Sequence, residues 1–146
     1  MKISNSNIIS IGSDHAGFTS KEEIVQYLKS KGYIIQDQGT FSDESVDYPE
    51  FGHKVGQSII HGKAAKGIVI CGSGIGISIA ANKIKGIRAA RCFTKEHAMM
   101  SKLHNNSNVL ALGSRMKGGD NLLDIIDVWL TTGFEKGGRH QKRIEK

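Results

Sequence analysis

The sequence predicts an α/β protein in which a mostly parallel β-sheet is covered by helices on both faces. Five short apolar runs recur along the 146 residues, and each precedes a segment whose apolar side chains have helical spacing. Strands that alternate with helices form right-handed βαβ units in one parallel sheet. With 38% hydrophobic and 23% charged residues, the chain is long enough to bury a core without disulfides or a structural metal.

The first apolar run is residues 8–11, and a helix follows it. Thr19 and Ser20 are its capping candidates, ahead of Glu22 and Glu23. Its buried face is predicted to consist of Ile24, Val25 and Leu28.

The second run, residues 33–35, follows Gly32, a residue type that commonly ends helices. Residues 47–49, with Pro49 near the first helical position, then predict a helix start. Its apolar face repeats every four residues at Phe51, Val55 and Ile59.

The third run, residues 67–71, is apolar and rich in β-branched residues, which is typical of a strand buried on both faces. The glycine-rich residues 72–76 end it, and an Ile/Ala-rich helix follows through about Ile84. The fourth run, residues 87–92, carries the weakest strand signal, and Thr94 is predicted to cap the helix after it.

The fifth run, residues 109–113, leads to a helix that is predicted to start near Asp120. A broad apolar stripe follows, formed by Leu122, Leu123, Ile126, Trp129 and Leu130. Residues 136–146 carry five basic residues and one acid. The whole chain, residues 1–146, is therefore interpreted as a single domain with a basic C-terminal segment.

The net charge of +6 favours an anionic partner. Nucleic acid is disfavoured because aromatic residues make up only 6% of the chain. No apolar run approaches the ~20 residues of a membrane span, and the polar first ten residues lack a signal-peptide core. We therefore expect no membrane association and a cytoplasmic location.

In parallel α/β sheets, ligands bind beyond the carboxyl ends of the strands. Three groups of residues fall there, at 12–15, 71–76 and 113–115. Asp14 and His15 are candidates for a general acid/base pair, for ligands of substrate hydroxyls, or for a simple turn cap.

Cys71 is the strongest single candidate. It ends a buried strand just before a turn that opens a helix, where partial positive charge favours a thiolate. The competing interpretation is a small buried core residue, and this interpretation is preferred for Cys92, which has no such loop.

The loop Gly72, Ser73, Gly74, Ile75, Gly76 offers consecutive backbone N–H groups, which suit an oxyanion or a phosphate. Because position 77 is Ile, the GxGxxG nucleotide fingerprint is only partly met. A purely structural strand–helix turn is the alternative.

His104 and Asn105 end the fourth helix, at the opposite end of their element, so a role for them points to a neighbouring subunit's site. Arg139 and Arg143 are four residues apart, which suits a phosphate clamp if the tail is helical, and a solvated basic tail otherwise. The sequence shows no metal-ligand spacing, so we expect neither a metal nor a cofactor. His53, His61 and His97 are interpreted as surface residues.

Taken together, several motifs in one order resemble a known family: GSDHAGF, DYPEF, ICGSGIGISIAANKIKGIRAARC, HNNSNVLALGSR and GGRHQKR. The chain is similar to the type B ribose-5-phosphate isomerases of the ribose/galactose isomerase family, over roughly residues 8–143. The resemblance implies a three-layer α/β/α Rossmann-like sandwich with a five-stranded parallel sheet. It also implies a homodimer with active sites at the subunit interface, with a tetramer left open.

The resemblance implies interconversion of D-ribose 5-phosphate and D-ribulose 5-phosphate in the non-oxidative pentose phosphate pathway. Cys71 would be the base that moves a proton through a cis-enediolate, and His104 would assist ring opening. The loop N–H groups of residues 72–76 would stabilise the enediolate oxygen. Substrate contacts are implied for Asp14, His15, Asn105, Arg115, Arg139 and Arg143.

Four rival functions remain. The nearest are allose-6-phosphate and galactose-6-phosphate isomerases on the same scaffold, the latter built from two unlike subunits. A non-catalytic binding module for a nucleotide or phosphosugar is a rival of another class, and nucleic-acid binding is the weakest.

Overall fold

The five predicted strands form one sheet in the computed structural model, which describes residues 5–146. Its order is β2-β1-β3-β5-β4, and every neighbouring pair is parallel. The strands are Ile8–Ser13 (β1), Ile34–Asp37 (β2), Lys66–Cys71 (β3), Ala89–Arg91 (β4) and Val109–Gly113 (β5).

Six α-helices lie within the described residues. They are Phe18–Ser30 (α1), Tyr48–Ile60 (α2), Ile75–Asn82 (α3), Lys95–Asn105 (α4), Leu122–Thr131 (α5) and Arg139–Ile144 (α6). No helix in residues 5–146 is long and apolar enough to cross a membrane.

The core has two parts because side chains of a strand alternate between the two faces of the sheet. On the central strand β3, Ile68 and Ile70 pack with α1, α4 and α5, whereas Val69 and Cys71 pack with α2 and α3. Strand β5 alternates in the same way. The predicted three-layer α/β/α sandwich with five parallel strands is confirmed.

The predicted capping of α1 by Thr19 or Ser20 is wrong, since both residues lie inside the helix. Asp14 caps a 3₁₀ turn at His15–Gly17 instead, and α1 continues directly from that turn. Thr94 does cap α4, as predicted, because its hydroxyl accepts a hydrogen bond from the His97 N–H at 3.1 Å.

Two helices are shorter at one end than predicted. Helix α3 ends at Asn82 rather than near Ile84, because the Asn82 amide exchanges two hydrogen bonds, at 2.7 and 2.9 Å, with the backbone of Ala89. Helix α5 begins at Leu122 and is capped by Asn121 rather than Asp120, whose carboxylate accepts the Lys95 N–H at 2.7 Å.

Candidate active site

The three segments predicted to meet at the carboxyl edge of the sheet do meet there. Strand β3 lies between β1 and β5, so their ends are adjacent. The Asp14 N–H donates to the carbonyl of Ile70, and the Ser114 N–H donates to the carbonyl of Cys71. Backbone hydrogen bonds thus fix Asp14, Cys71 and Arg115 around one edge, which we call the cysteine site.

Cys71 ends β3 with its side chain on the α2/α3 face, and it is 5% exposed. Its Sγ accepts a hydrogen bond from the Gly74 N–H at 3.2 Å. Gly74 is the N-cap residue of α3, and its φ is +78°. The thiol sulfur therefore lies against a backbone donor at the N-terminus of α3, the end of the helix with partial positive charge.

Glycine is required at position 74 for a second reason besides its φ. A Cβ there would lie 2.8 Å from the carbonyl carbon of Leu112, which belongs to a buried strand and cannot move aside. The close approach of the loop to β5 is therefore what points the Gly74 N–H at the thiol.

The loop is less open than the sequence predicts. The Gly74 N–H is engaged by the thiol, and the Ile75 N–H donates to the Ser73 hydroxyl at 3.1 Å. Two of the five N–H groups expected to cradle an oxyanion are thus used within the loop.

Tyr48 is a part of this edge that the sequence reasoning missed. It begins α2, it is 39% exposed, and a Cβ on Gly76 would lie 2.7 Å from its Cζ. The phenol therefore covers the first turn of α3. The sequence analysis contains Tyr48 in the predicted helix start and in the DYPEF motif, but it assigns this residue no place in the site.

Asp14 is nearly buried, and its Oδ1 accepts the Gly17 N–H at 3.1 Å, so the turn-cap interpretation is confirmed for this oxygen. The His15 Nδ1 accepts the Val46 N–H at 3.1 Å. The same Nδ1 lies 3.3 Å from the Val46 carbonyl oxygen, so both backbone groups of Val46 lie against the ring.

Arg115 joins the edge through its backbone and its side-chain stem. Its N–H donates to the carbonyl of Gly72 at 2.9 Å, and its Cδ lies 3.7 Å from where a Cβ on Gly72 would stand.

The other predicted residues lie at the opposite edge of the sheet. His104 and Asn105 end α4, and the Asn105 carbonyl accepts a hydrogen bond from Arg88 Nε at 2.7 Å, just before β4 begins. Together with α6 these residues line a cleft of about 300 Å³, which we call the basic cleft. Its lining residues are Arg88, His104, Asn105, His140, Arg143 and Ile144.

Residues 139–144 form helix α6, so the tail is helical, which was the condition for the predicted clamp. Arg139 and Arg143 are four residues apart and therefore lie on one face of this helix. Arg143 lines the basic cleft, whereas Arg139 is exposed at the start of the helix. The rings of His104 and His140 stack with centroids 4.3 Å apart. Partial burial, the adjacent His104 and the two arginines lower the pKa of His140, because each disfavours the imidazolium.

Within one chain the two sites are far apart. Strand β3 spans six residues from Lys66 to Cys71, which at about 3.3 Å per residue separates the two edges by roughly 17 Å. The prediction that His104 and Asn105 lie at the opposite end from Cys71 is confirmed.

The other histidines and Cys92 were predicted to be surface and core residues, respectively. His61 and His97 are exposed, and His53 is half-buried. Cys92 is buried, and burial raises its pKa to about 11. Both cysteines are free. In residues 5–146, no group of three or more His, Cys, Asp or Glu side chains is arranged to hold a metal ion.

The fold and the cysteine site together define an α/β protein with a thiol, a carboxylate and an imidazole at the carboxyl ends of its parallel strands. A family model of the ribose/galactose isomerases matches residues 9–146. The chain belongs to the ribose/galactose isomerase family.

Individual relatives agree with this assignment. The chain is 47% identical to ribose-5-phosphate isomerase B of Escherichia coli (strain K12), over 94% of this chain and 91% of that protein. The solved structure of Clostridium thermocellum ribose-5-phosphate isomerase B is similar with a TM-score of 0.91 and 54% identity, covering 94% of this chain and 93% of that one. The chain is also 40% identical to the galactose-6-phosphate isomerase subunit LacB of Clostridium acetobutylicum, over 94% of this chain and 80% of that protein.

Proposed function

We propose that this chain interconverts D-ribose 5-phosphate and D-ribulose 5-phosphate by proton transfer through a cis-enediolate, with Cys71 as the base and without a metal. The observation that carries the proposal is the hydrogen bond from the Gly74 N–H to Cys71 Sγ at the N-terminus of α3. The relatives named ribose-5-phosphate isomerase B supply the substrate.

The chemistry needs a base and a site for developing negative charge, because a C–H next to a carbonyl is weakly acidic. In the forward direction the Cys71 thiolate takes the proton from C2 of the open-chain aldose, and the C1 oxygen gains negative charge. The C2 hydroxyl then gives its proton to the C1 oxygen, Cys71 returns the first proton to C1, and the C2 oxygen becomes the ketone. N–H donors of the 72–76 loop stabilise the oxyanion, and each such donor contributes on the order of 3 kcal/mol.

The active site is proposed to be composite, with a basic cleft from one subunit facing a cysteine site from the other. His104 assists opening of the furanose ring, while Asn105, Arg139 and Arg143 bind sugar oxygens and the phosphate. Asp14, His15 and Arg115 contact the substrate from the cysteine side. The roughly 17 Å between the two edges of one sheet supports this division.

A homodimer is the simplest assembly that joins the two sites. Helix α3 presents Ile75 and Ile79, which are 51% and 56% exposed, beside the loop that carries the thiol. Two large apolar side chains one turn apart suit a subunit interface. The two free cysteines suit a reducing compartment such as the cytoplasm, which we propose as the location.

The decisive experiment measures turnover of ribose 5-phosphate in EDTA for wild type, Cys71→Ala and Cys92→Ala. Both variants remove a buried thiol, but only Cys71 ends a strand at a loop. We expect chelator-resistant activity in wild type and in Cys92→Ala, and its loss in Cys71→Ala. Equal activity of the two variants would remove Cys71 as the base, and sensitivity to EDTA would contradict the metal-free mechanism.

The composite site has its own test, by mixing two inactive variants. Cys71→Ala and His104→Ala subunits, unfolded and refolded together, form mixed dimers in which one of the two sites is intact. Random pairing makes half of the dimers mixed, so about a quarter of the wild-type activity returns. No recovery, with mixed dimers present by native mass spectrometry, would show that each site is built from a single chain.

A second candidate is isomerisation of a six-carbon sugar phosphate, which the similarity to a galactose-6-phosphate isomerase subunit favours. The presence of Cys71, His104 and the arginines on one chain argues for a self-sufficient enzyme. Competition of galactose 6-phosphate and allose 6-phosphate with ribose 5-phosphate ranks the substrates directly. Ligand binding without turnover of any of the three would favour a non-catalytic binding module.

A further inference from the structure

Arg91 ends β4 and reaches the glycine-rich loop from the neighbouring side of the sheet. Its Nε donates a hydrogen bond to the carbonyl oxygen of Ser73 at 3.0 Å. The guanidinium carbon lies 5.1 Å from the centroid of the Phe93 ring, which holds the side chain in place.

The Ser73 carbonyl and the Gly74 N–H belong to the same peptide group. One end of this peptide therefore accepts from Arg91, and the other end donates to Cys71 Sγ at 3.2 Å. A charged donor on the carbonyl polarises the peptide, and this strengthens the hydrogen bond at the N–H end.

The charge of Arg91 is not neutralised locally. In residues 5–146 the ion pairs within 4.0 Å all involve Lys21, so no described carboxylate pairs with Arg91. The Ser73–Gly74 peptide also needs a contact that fixes its orientation. Gly74 has a φ of +78° and no Cβ, so it restricts rotation of this peptide very little.

We propose that Arg91 is a positioning residue that orients and polarises the Ser73–Gly74 peptide so that its N–H stabilises the Cys71 thiolate. Arg91 acts through the peptide and does not touch the reacting atoms. This inference rests on the proposed role of Cys71 as the base. It adds an influence on the Cys71 thiol from β4, a strand that does not pair with β3.

Other charged groups at this edge do not replace Arg91. The stem of Arg115 lies against Gly72 on the other side of the loop, and Asp14 and His15 are held by Gly17 and Val46. Tyr48 covers Gly76, two residues beyond the thiol's donor.

The test compares Arg91→Met, which loses the charge and the donor, with Arg91→Lys, which keeps the charge. Lys85→Met is the matched control, because it removes a positive charge from the exposed turn after α3. The first measurement is the rate at which iodoacetamide alkylates Cys71 at pH 7 and at pH 10, followed by mass spectrometry of its peptide. The buried Cys92 serves as the internal reference.

We expect Arg91→Met to slow alkylation about three- to tenfold at pH 7, because a smaller fraction of the thiol is ionised. At pH 10 the variant should react as fast as wild type or faster, since a more basic thiolate is more nucleophilic. This crossing of the two rates separates an ionisation effect from a change of access, which would shift both rates in one direction. Arg91→Lys should lie between Arg91→Met and wild type, and Lys85→Met should match wild type.

The second measurement is turnover, where Arg91→Met should lower kcat three- to tenfold and change KM by less than about twofold. Unchanged alkylation at pH 7, or a raised KM with unchanged kcat, would overturn the proposal and make Arg91 a substrate-binding residue. Alkylation needs no substrate, so the role of Arg91 is measured even if the proposed reaction fails. If Arg91→Met does not fold, Arg91→Lys and Arg91→Gln still give the comparison between a charged and a neutral donor.

Discussion

Lys21 is fully buried, and its ammonium is the basis of a quantitative prediction. Nζ lies 2.9 and 2.7 Å from the two carboxylate oxygens of Asp37, and 2.9 Å from a carboxylate oxygen of Glu22. Asp37 in turn accepts the Gly39 N–H at 2.9 Å. The Gly39 carbonyl accepts from Ser13, beside the cysteine site.

Replacing Lys21 by Met leaves the Asp37 carboxylate without its cation. Removing one partner of a buried ion pair costs about 3–5 kcal/mol. The Asp37 side chain is 26% exposed and Glu22 is half exposed, so partial hydration places the loss near 3 kcal/mol. With a urea m-value of about 2 kcal/mol per M, the unfolding midpoint should fall by roughly 1.5 M.

Urea unfolding followed by circular dichroism measures this loss, with Lys29→Met as the control. Lys29 lies on the same helix but is exposed, so its replacement should change stability by less than about 0.5 kcal/mol. The double variant Lys21→Met/Asp37→Asn removes the unpaired charge and keeps an acceptor for Gly39, so it should recover at least half of the loss. A loss below about 1 kcal/mol for Lys21→Met, or a double variant no more stable than the single one, would refute this reasoning.

Three further predictions concern glycines and a thiol. Gly74→Ala should lower the free energy of unfolding by about 2 kcal/mol or more, and it should also lower kcat. The reason is that residue 74 has a φ of +78° and that its new Cβ would lie 2.8 Å from the Leu112 carbonyl carbon. Thermal unfolding and turnover measure the two effects, and a fully active variant would contradict the prediction. Gly76→Ala, the same change two residues on, should cost less than about 1 kcal/mol, since the three atoms nearest to the new Cβ all belong to the outer end of the partly exposed Tyr48 side chain, which can move. A loss as large as that of Gly74→Ala would show that Tyr48 cannot move. Burial raises the pKa of Cys92 to about 11, above its value of about 9 when unfolded, so its contribution to the free energy of unfolding is intact below pH 9 and is lost as the pH rises towards 11. Chemical denaturation between pH 8 and 11 should therefore show a steeper decline for wild type than for Cys92→Ala, and parallel declines would contradict the raised pKa.

The sheet could be predicted from the sequence because a strand buried on both faces is apolar at successive residues, as residues 67–71 of β3 and the whole of β5 are. Strand β4 gave the weakest signal because it is short and none of its residues is fully buried. The position of Cys71 at the carboxyl edge of the sheet followed from the general rule that loops after parallel strands converge at one edge.

The buried lysine was also within reach of the sequence. Lys21 precedes Ile24, Val25 and Leu28 by three, four and seven residues, so it lies on the predicted buried face of α1. A charged residue at a core position indicates a partner, but the partner, Asp37, comes from the end of another strand. Spacing along one helix carries no information about that second strand.

Arg91 shows where prediction from sequence ends. Its contact with Ser73 joins residues 18 positions apart, and it depends on how β4 and β3 are placed around β5. Order along the chain suggests that β4 lies beside β3, yet β5 occupies that place. The arginine therefore reaches across the end of β5 to the loop after β3, and the donor to the thiol is tied to a strand that does not pair with the one bearing the thiol.

The same topology bears on the proposal that the active site is shared between two subunits. Helices that return between parallel strands run antiparallel to them, so a residue at a helix C-terminus lies at the amino edge of the sheet. His104 is such a residue, whereas Cys71 ends a strand. No local rearrangement brings these two ends together without reversing an element, but a partner chain can present its amino edge to the first chain's carboxyl edge. The proposed division of the proton-transfer and ring-opening groups between subunits is thus the arrangement that the βαβ architecture favours.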